Sequence, residues 1–167
     1  MWPEDKATHL RRGDVWAYTP LKTIGVPGSD MVPFHKLTQW LTYSLLEPIE
    51  ALGVRVRDID LLTALSEYRN GGFMLDIGLL TAKKPEETSA RVAYDPGSEL
   101  VVEWRALTVV LLDRLAEGVR GALGLTPEQF PLPKLLQGGS WAAGRAIAQE
   151  KRGGAPPIAI RSDGTVF

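Results

Sequence analysis

Cysteine is missing from all 167 residues. That excludes thiolate metal sites, thiol catalysis and a disulfide framework, and makes an intracellular, cytoplasmic protein the expectation. Histidine is scarce: His9 and His35 are too few and too far apart in sequence to suggest a histidine-rich metal centre. The net charge of -1 supplies no broad field for holding duplex nucleic acid or an anionic membrane, so any anion site must be local. Long apolar runs are also lacking. Leu100 to Val119 is broken by Glu103, Arg105, Asp113, Arg114 and Glu117, and reads as a buried helix, not a membrane span. Met1 to Lys6 has neither the basic start nor the apolar run of a secretory signal, and neither an internal repeat nor a low-complexity tract is present. A chain with 44% hydrophobic and 23% charged residues fits one ordinary globular domain with a real core.

The expected architecture is mainly α with minor β, with an irregular leader over 1–33 and a mainly helical domain over 34–167. The leader carries prolines at Pro20, Pro27 and Pro33, and its apolar residues stand singly or in pairs. Pro33 fits a first helical position, and Leu37, Leu41, Leu45, Ile49 and Leu52 recur at helical spacing, with a kink expected at Pro48 and a stop at Gly53. A second helix starts at Gly97-Ser98-Glu99, with Leu100, Trp104, Leu107, Leu111, Leu115 and Val119 as its inner stripe and Gly121 and Gly124 at its end. Thr126-Pro127-Glu128-Gln129 has the form of a capping box, limited to short helical pieces by Pro131 and Pro133. Ser140 is expected to cap a helix running to about Arg152. Extended segments are expected at Phe73 to Leu80, Ala90 to Tyr94 and Ile158 to Ile160, with a turn at Asp163-Gly164.

Chemistry concentrates in Thr63 to Gly78, where Glu67, Tyr68, Arg69, Asn70 and Asp76 surround Gly71-Gly72. Such polar groups are expensive to bury unless they answer one another or a ligand. A sharp turn at the glycines would bring Asp76 back beside Glu67 and Arg69 in one cleft; the alternative is a simple Glu67 and Arg69 pair with Asp76 capping a neighbouring helix. Gly138-Gly139-Ser140, followed by Trp141 and Arg145, has the composition of a helix start that receives an anion, or of a loop leading into a small-residue packing helix. His35 and Lys36 stand at the positive end of the first helix, within reach of a phosphate or merely in a solvated first turn. Glu103 and Arg105, flanking Trp104, read equally as an internal ion pair or as site residues.

Five blocks in order carry a resemblance: Val32-Pro33-Phe34-His35-Lys36 to Ser44, Leu62-Thr63 with Glu67-Tyr68-Arg69-Asn70-Gly71-Gly72, Ser98-Glu99-Leu100 to Thr108, Gly138-Gly139-Ser140-Trp141 to Arg145, and Ser162-Asp163-Gly164-Thr165-Val166-Phe167. They resemble the C-terminal part of the uracil-catabolism family of fungi and bacteria, a domain of unknown function. The resemblance covers nearly all of this chain and less than half of a typical member. It implies a place in a uracil breakdown route in which uracil is ribosylated, its ring is opened, and a ribosylurea-type compound is then split. Leu62-Thr63 and Glu67-Tyr68-Arg69 are also faintly similar to the queuosine-nucleotide glycosidases, whose motif has aspartate where this chain has Glu67. That similarity implies a helical glycosidase fold, here the C-terminal part of a larger one.

From these resemblances follows the expected reaction, hydrolysis of an N-glycosidic bond in a ribosylurea-type or related nucleotide. Glu67 and Asp76 are the expected catalytic carboxylates. Tyr68, Arg69, Asn70, His35, Lys36, Gly138, Gly139, Ser140, Trp141 and Arg145 are the expected substrate contacts. No metal or organic cofactor is required, and the partner is a small ribosylated pyrimidine derivative, not nucleic acid or a membrane. The alternative is a non-catalytic nucleotide-binding or scaffold module. Trp2, Trp16 and the first helix have no evident cover, so a homo-oligomer or a complementing N-terminal portion is expected to supply one.

Overall fold

The computed structural model describes residues 13–89 and 92–161, together with the short strands β1 (Glu4–Asp5) and β2 (Leu10–Arg11), which pair antiparallel. A hairpin follows, β3 (Val15–Ala17) against β4 (Met31–Pro33), with Val15 opposite Pro33. Then come α1 (Lys36–Ala51), α2 (Tyr68–Asp76), β5 (Ala93–Tyr94) and the long α3 (Glu99–Leu123). A continuous helical stretch combines α4 (Leu132–Lys134), a π-helical segment at Leu135–Trp141 and α5 (Ala142–Arg152). Finally β6 (Ala159–Ile160) pairs parallel with β5. The fold is mainly α with minor β, as its composition and periodicity predict. Among the described residues, no helix is long and apolar enough to cross a membrane.

The middle of the chain folds around α2, which lies between α3 and α5. Gly71 and Gly72 do not turn the chain: both are helical and buried. A Cβ on Gly71 would collide with the Thr108 hydroxyl and the Trp104 indole of α3, and one on Gly72 would stand 3.1 Å from the Pro157 ring. On the opposite side, a Cβ on Gly144 of α5 would collide with the Arg69 carbonyl of α2. Each glycine costs a helix about 1 kcal/mol against alanine, and close packing of three helices is what it gives in return. The extended segment expected over Phe73 to Leu80 is therefore helix up to Asp76, because packing overrides the local glycine signal.

Other boundaries move for local reasons. Pro33 closes β4, and the chain passes through His35 in the left-handed region (φ 48°) before α1 begins at Lys36. The helix continues past Pro48 to Ala51, and Gly53 follows with φ 82°. Ser98 precedes α3, but its hydroxyl donates to the Asp95 carbonyl instead of capping the helix. Thr126 and Gln129 do exchange capping-box hydrogen bonds, although only a turn follows them. The helix start expected at Ser140 is absent, since helix already runs through that position.

Two apolar clusters hold these pieces. One gathers Ala64, Leu65, Met74, Leu112, Ala116, Leu132, Leu135 and Leu136; the other gathers Trp16, Val101, Val102, Trp104 and Ile158. The buried face of α3 runs through Val101, Trp104, Arg105, Thr108, Leu112 and Ala116, rotated from the predicted stripe, and Leu107 is exposed. Small Thr108 faces α2 where a leucine would not fit. Trp16, expected to lack cover, is buried in the second cluster. Trp2 and the Asp163-Gly164 turn lie outside the described residues.

Candidate functional site

The hairpin and the start of α1 deliver one end of a charged cluster, and α3 and the approach to α2 deliver the other. Gly13, at φ 67°, turns the chain into Asp14, whose carbonyl accepts from the Phe34 amide at 2.9 Å. The Asp14 carboxylate receives both terminal nitrogens of Arg105 at 2.7 Å, the Trp16 indole at 2.7 Å and the Lys36 backbone amide at 3.1 Å. Arg105 also donates to the Ser66 hydroxyl at 3.0 Å and lies over the Phe34 ring at 4.0 Å. Asp14 and Arg105 are almost completely buried, so each charge depends on the other. Burial pushes the Asp14 carboxyl up, but the hydrogen bonds and charge of Arg105, helped by Trp16 and Lys36, outweigh it and leave it below the ordinary carboxylate value.

Lys36 links this interior pair to the surface. Its amide is held by Asp14, and its ammonium meets the Glu67 carboxylate at 2.7 Å. Glu67 is the N-cap of α2 and accepts from the Arg69 amide at 3.4 Å, a placement that a negative charge favours. Its side chain keeps 16% exposure against 8% for Lys36, so the pair sits at the rim of the fold with the Asp14 and Arg105 pair behind it.

The remaining predicted residues divide among several environments. Asp76 is the last residue of α2, so the helix rise separates it from Glu67 by about 13 Å. It is bound by both terminal nitrogens of Arg152, at 2.8 and 2.6 Å, while Lys151 donates to its carbonyl at 2.7 Å. These groups border an open cleft of about 420 Å³, shared with Leu75, Thr81 and Thr88. Tyr68, Arg69 and Asp76 do line one narrow crevice along α2, with Gly144 and Pro157. Arg69 stacks on the Tyr68 ring at 4.6 Å and donates to the Gly154 carbonyl at 2.7 Å. The single cleft expected for Glu67, Arg69 and Asp76 does not form, because the glycines continue the helix instead of reversing it.

Asn70 points inward and braces the π-helical segment, donating to the Ser140 hydroxyl at 2.7 Å and the Leu136 carbonyl at 3.1 Å. Gly138 and Gly139 lie inside that segment, and a Cβ on Gly139 would meet only Leu135 within 4 Å. The premise of a helix start with free amides is thus replaced by a helix interior. Arg145 lies 5.6 Å from the Trp141 ring, and His35 is exposed. Glu103 pairs with Lys83 at 2.9 Å, not with Arg105, since residues two apart on a helix point in different directions. Asp14 and Ser66 went unnoticed in the sequence. Their only signals are a carboxylate after Gly13 and a hydroxyl beside Glu67.

The sequence matches, over residues 1–167, the family described as "Protein of unknown function (DUF1688)". The chain belongs to this family. It is similar to Protein urg3 of Schizosaccharomyces pombe, 46% identical over an aligned span of 159 residues that covers 93% of this chain and 38% of the relative. It is similar as well to Uracil catabolism protein 4 of Lachancea kluyveri, 41% identical over an aligned span of 175 residues that covers 93% of this chain and 39% of the relative. The chain thus spans less than two-fifths of the length of these curated relatives. No solved structure matches it.

Proposed function

We propose that this chain acts in uracil catabolism and contributes the carboxylate that cleaves the N-glycosidic bond of a ribosylurea-type intermediate. The observation that carries this reading is the Glu67 and Lys36 pair, at 2.7 Å, partly open to solvent and backed by the buried Asp14 and Arg105 pair. The name of the Lachancea kluyveri relative supports the pathway. In this reaction the bond between the ribose anomeric carbon and the urea nitrogen breaks, water supplies oxygen to that carbon, and the departing nitrogen takes a proton. An oxocarbenium-like state develops between these events, and Glu67 is the group that stabilises its positive charge and draws the proton from water. We assign the proton on the leaving nitrogen to the Lys36 ammonium and not to Asp76, which stands at the other end of α2 in the grip of Arg152. Tyr68 and Arg69, next to Glu67 in sequence, are the proposed contacts to the sugar and urea groups.

A second reading has one observation in its favour. Asp14, Glu67 and Asp76 are each matched by an internal cation, as in a module that binds a nucleotide without changing it. Incubation with ribosylurea and its phosphate, with urea and free sugar followed as products and binding measured by calorimetry, separates the two. Stoichiometric urea release is expected. Binding without product would transfer the assignment to the nucleotide-binding module, and neither binding nor product would remove both.

A further inference from the structure

Asp76 closes α2 and Arg152 closes α5, and both residues border the open cleft of about 420 Å³. Charge is unevenly placed there. The Asp76 side chain, paired with Arg152, is only 5% exposed, whereas Arg152 keeps 25% and Lys151 49%. One carboxylate and two cations line the cleft, so one positive charge is in excess, and the negative member is the buried one.

The cations also have donors to spare. Lys151 gives one N–H to the Asp76 carbonyl at 2.7 Å and stands 4.0 Å from the carboxylate, and Arg152 gives three of its five N–H groups to Asp76 and the Ala155 carbonyl. Carbonyls at the two helix ends, which would repel an anion, are answered from within. Lys151 holds that of Asp76, and the Gly153 and Gly154 amides donate to those of Gln149 and Ala148. Glu86 and Glu87, near in sequence to Pro85 and Thr88 on the wall, do not line the cleft, and Glu87 accepts from the Lys84 amide at 3.1 Å.

We propose that this cleft is a binding site for a small phosphate monoester, separate from the Glu67 and Lys36 pair. Two cations on consecutive residues, with the exposed Thr81 hydroxyl beside them, suit a doubly charged group of three oxygens better than a single carboxylate. Leu75, Leu80 and Pro157 supply an apolar wall for the carbon skeleton of the ester, and the volume is that of a small-molecule pocket. The site lies at the opposite end of α2 from Glu67, about 13 Å along the helix, so the inference is independent of the reaction proposed there.

Calorimetric titration of the intact chain with glycerol 3-phosphate and with inorganic phosphate, at fixed ionic strength, tests it. Saturable binding is expected, tighter for the ester than for the free ion. Lys151→Ala should weaken it by about tenfold or more, the loss of a charge-assisted contact, while Lys22→Ala, which removes the same charge from an exposed loop, should leave it unchanged. Thr81→Glu keeps every contact of Lys151 and Arg152 and adds a carboxylate to the wall, so it should abolish binding with the melting temperature unchanged. Absence of binding by either probe at millimolar concentration would overturn the proposal. Binding that survives both Lys151→Ala and Thr81→Glu would place the anion elsewhere and overturn it equally, and inorganic phosphate binding as tightly as the ester would reduce the site to one for the free ion.

Discussion

Asp14 decides whether the Arg105 charge can be carried inside α3 and fixes the backbone at the start of α1. It neutralises Arg105 and holds the Lys36 amide, so its loss strands a fully buried guanidinium and loosens the residue that positions Glu67. Asp14→Asn keeps the shape and removes the charge, and is expected to cost about 3–5 kcal/mol in urea unfolding at neutral pH. The pH dependence has a definite sign. The folded carboxyl titrates below its ordinary value, so its stabilisation is present above the unfolded value of about 3.9 and fades as pH falls through the lower folded one. Stability of the wild type should therefore converge on that of Asp14→Asn as the solution is acidified. A difference that stays constant across that window would contradict the pairing. Nothing in the sequence around Asp14 announced this role, because its partner lies 91 positions away.

Helices with a full apolar period were legible, and the glycine-bearing one was not. The spacing of leucines and valines marks α1 and α3, and Gly53 and Gly124 mark where they stop. In α2, Gly71 and Gly72 read locally as a turn; their helical role is visible only when Thr108, Trp104 and Pro157 are in place. A turn at these glycines would set Asp76 beside Glu67, whereas the helix carries it to Arg152. Glycine substitutions test this account of the packing. Gly144→Ala should destabilise by about 1–3 kcal/mol, because its new methyl meets the Arg69 carbonyl, while Gly118→Ala, facing open space on α3, should gain about 0.5–1 kcal/mol. Similar melting temperatures for the two variants would refute close packing of α2 on α5. The anchor of α1 has its own signature in Tyr43: burial pushes its phenol up to about 12, the Asp113 charge adds to this, and Gln39 opposes it. The neutral anchor is intact below the unfolded value of about 10 and its contribution is lost as pH rises through about 12. In an absorbance titration of phenolate, one late-ionising tyrosine should disappear in Tyr43→Phe; an unchanged curve would show that the anchor is open to water.

The molecule combines a well-braced interior with an outer helix anchored along one side and exposed along the other, and it spans less than two-fifths of its curated relatives. The sequence identified the family and the Glu67 block, while the division of the predicted site into two ends of α2 depended on contacts far apart in the chain. In the proposed reaction Glu67 is the working carboxylate, and Lys36 holds it in place. Kinetic comparison of the wild type with Glu67→Gln, using urea release from ribosylurea and confirming equal melting temperatures, addresses that directly. The substitution keeps size and hydrogen bonding but removes the charge, so turnover should fall by a factor on the order of 100 with little change in substrate affinity. Turnover equal to the wild type in a stably folded variant would take Glu67 out of the reaction.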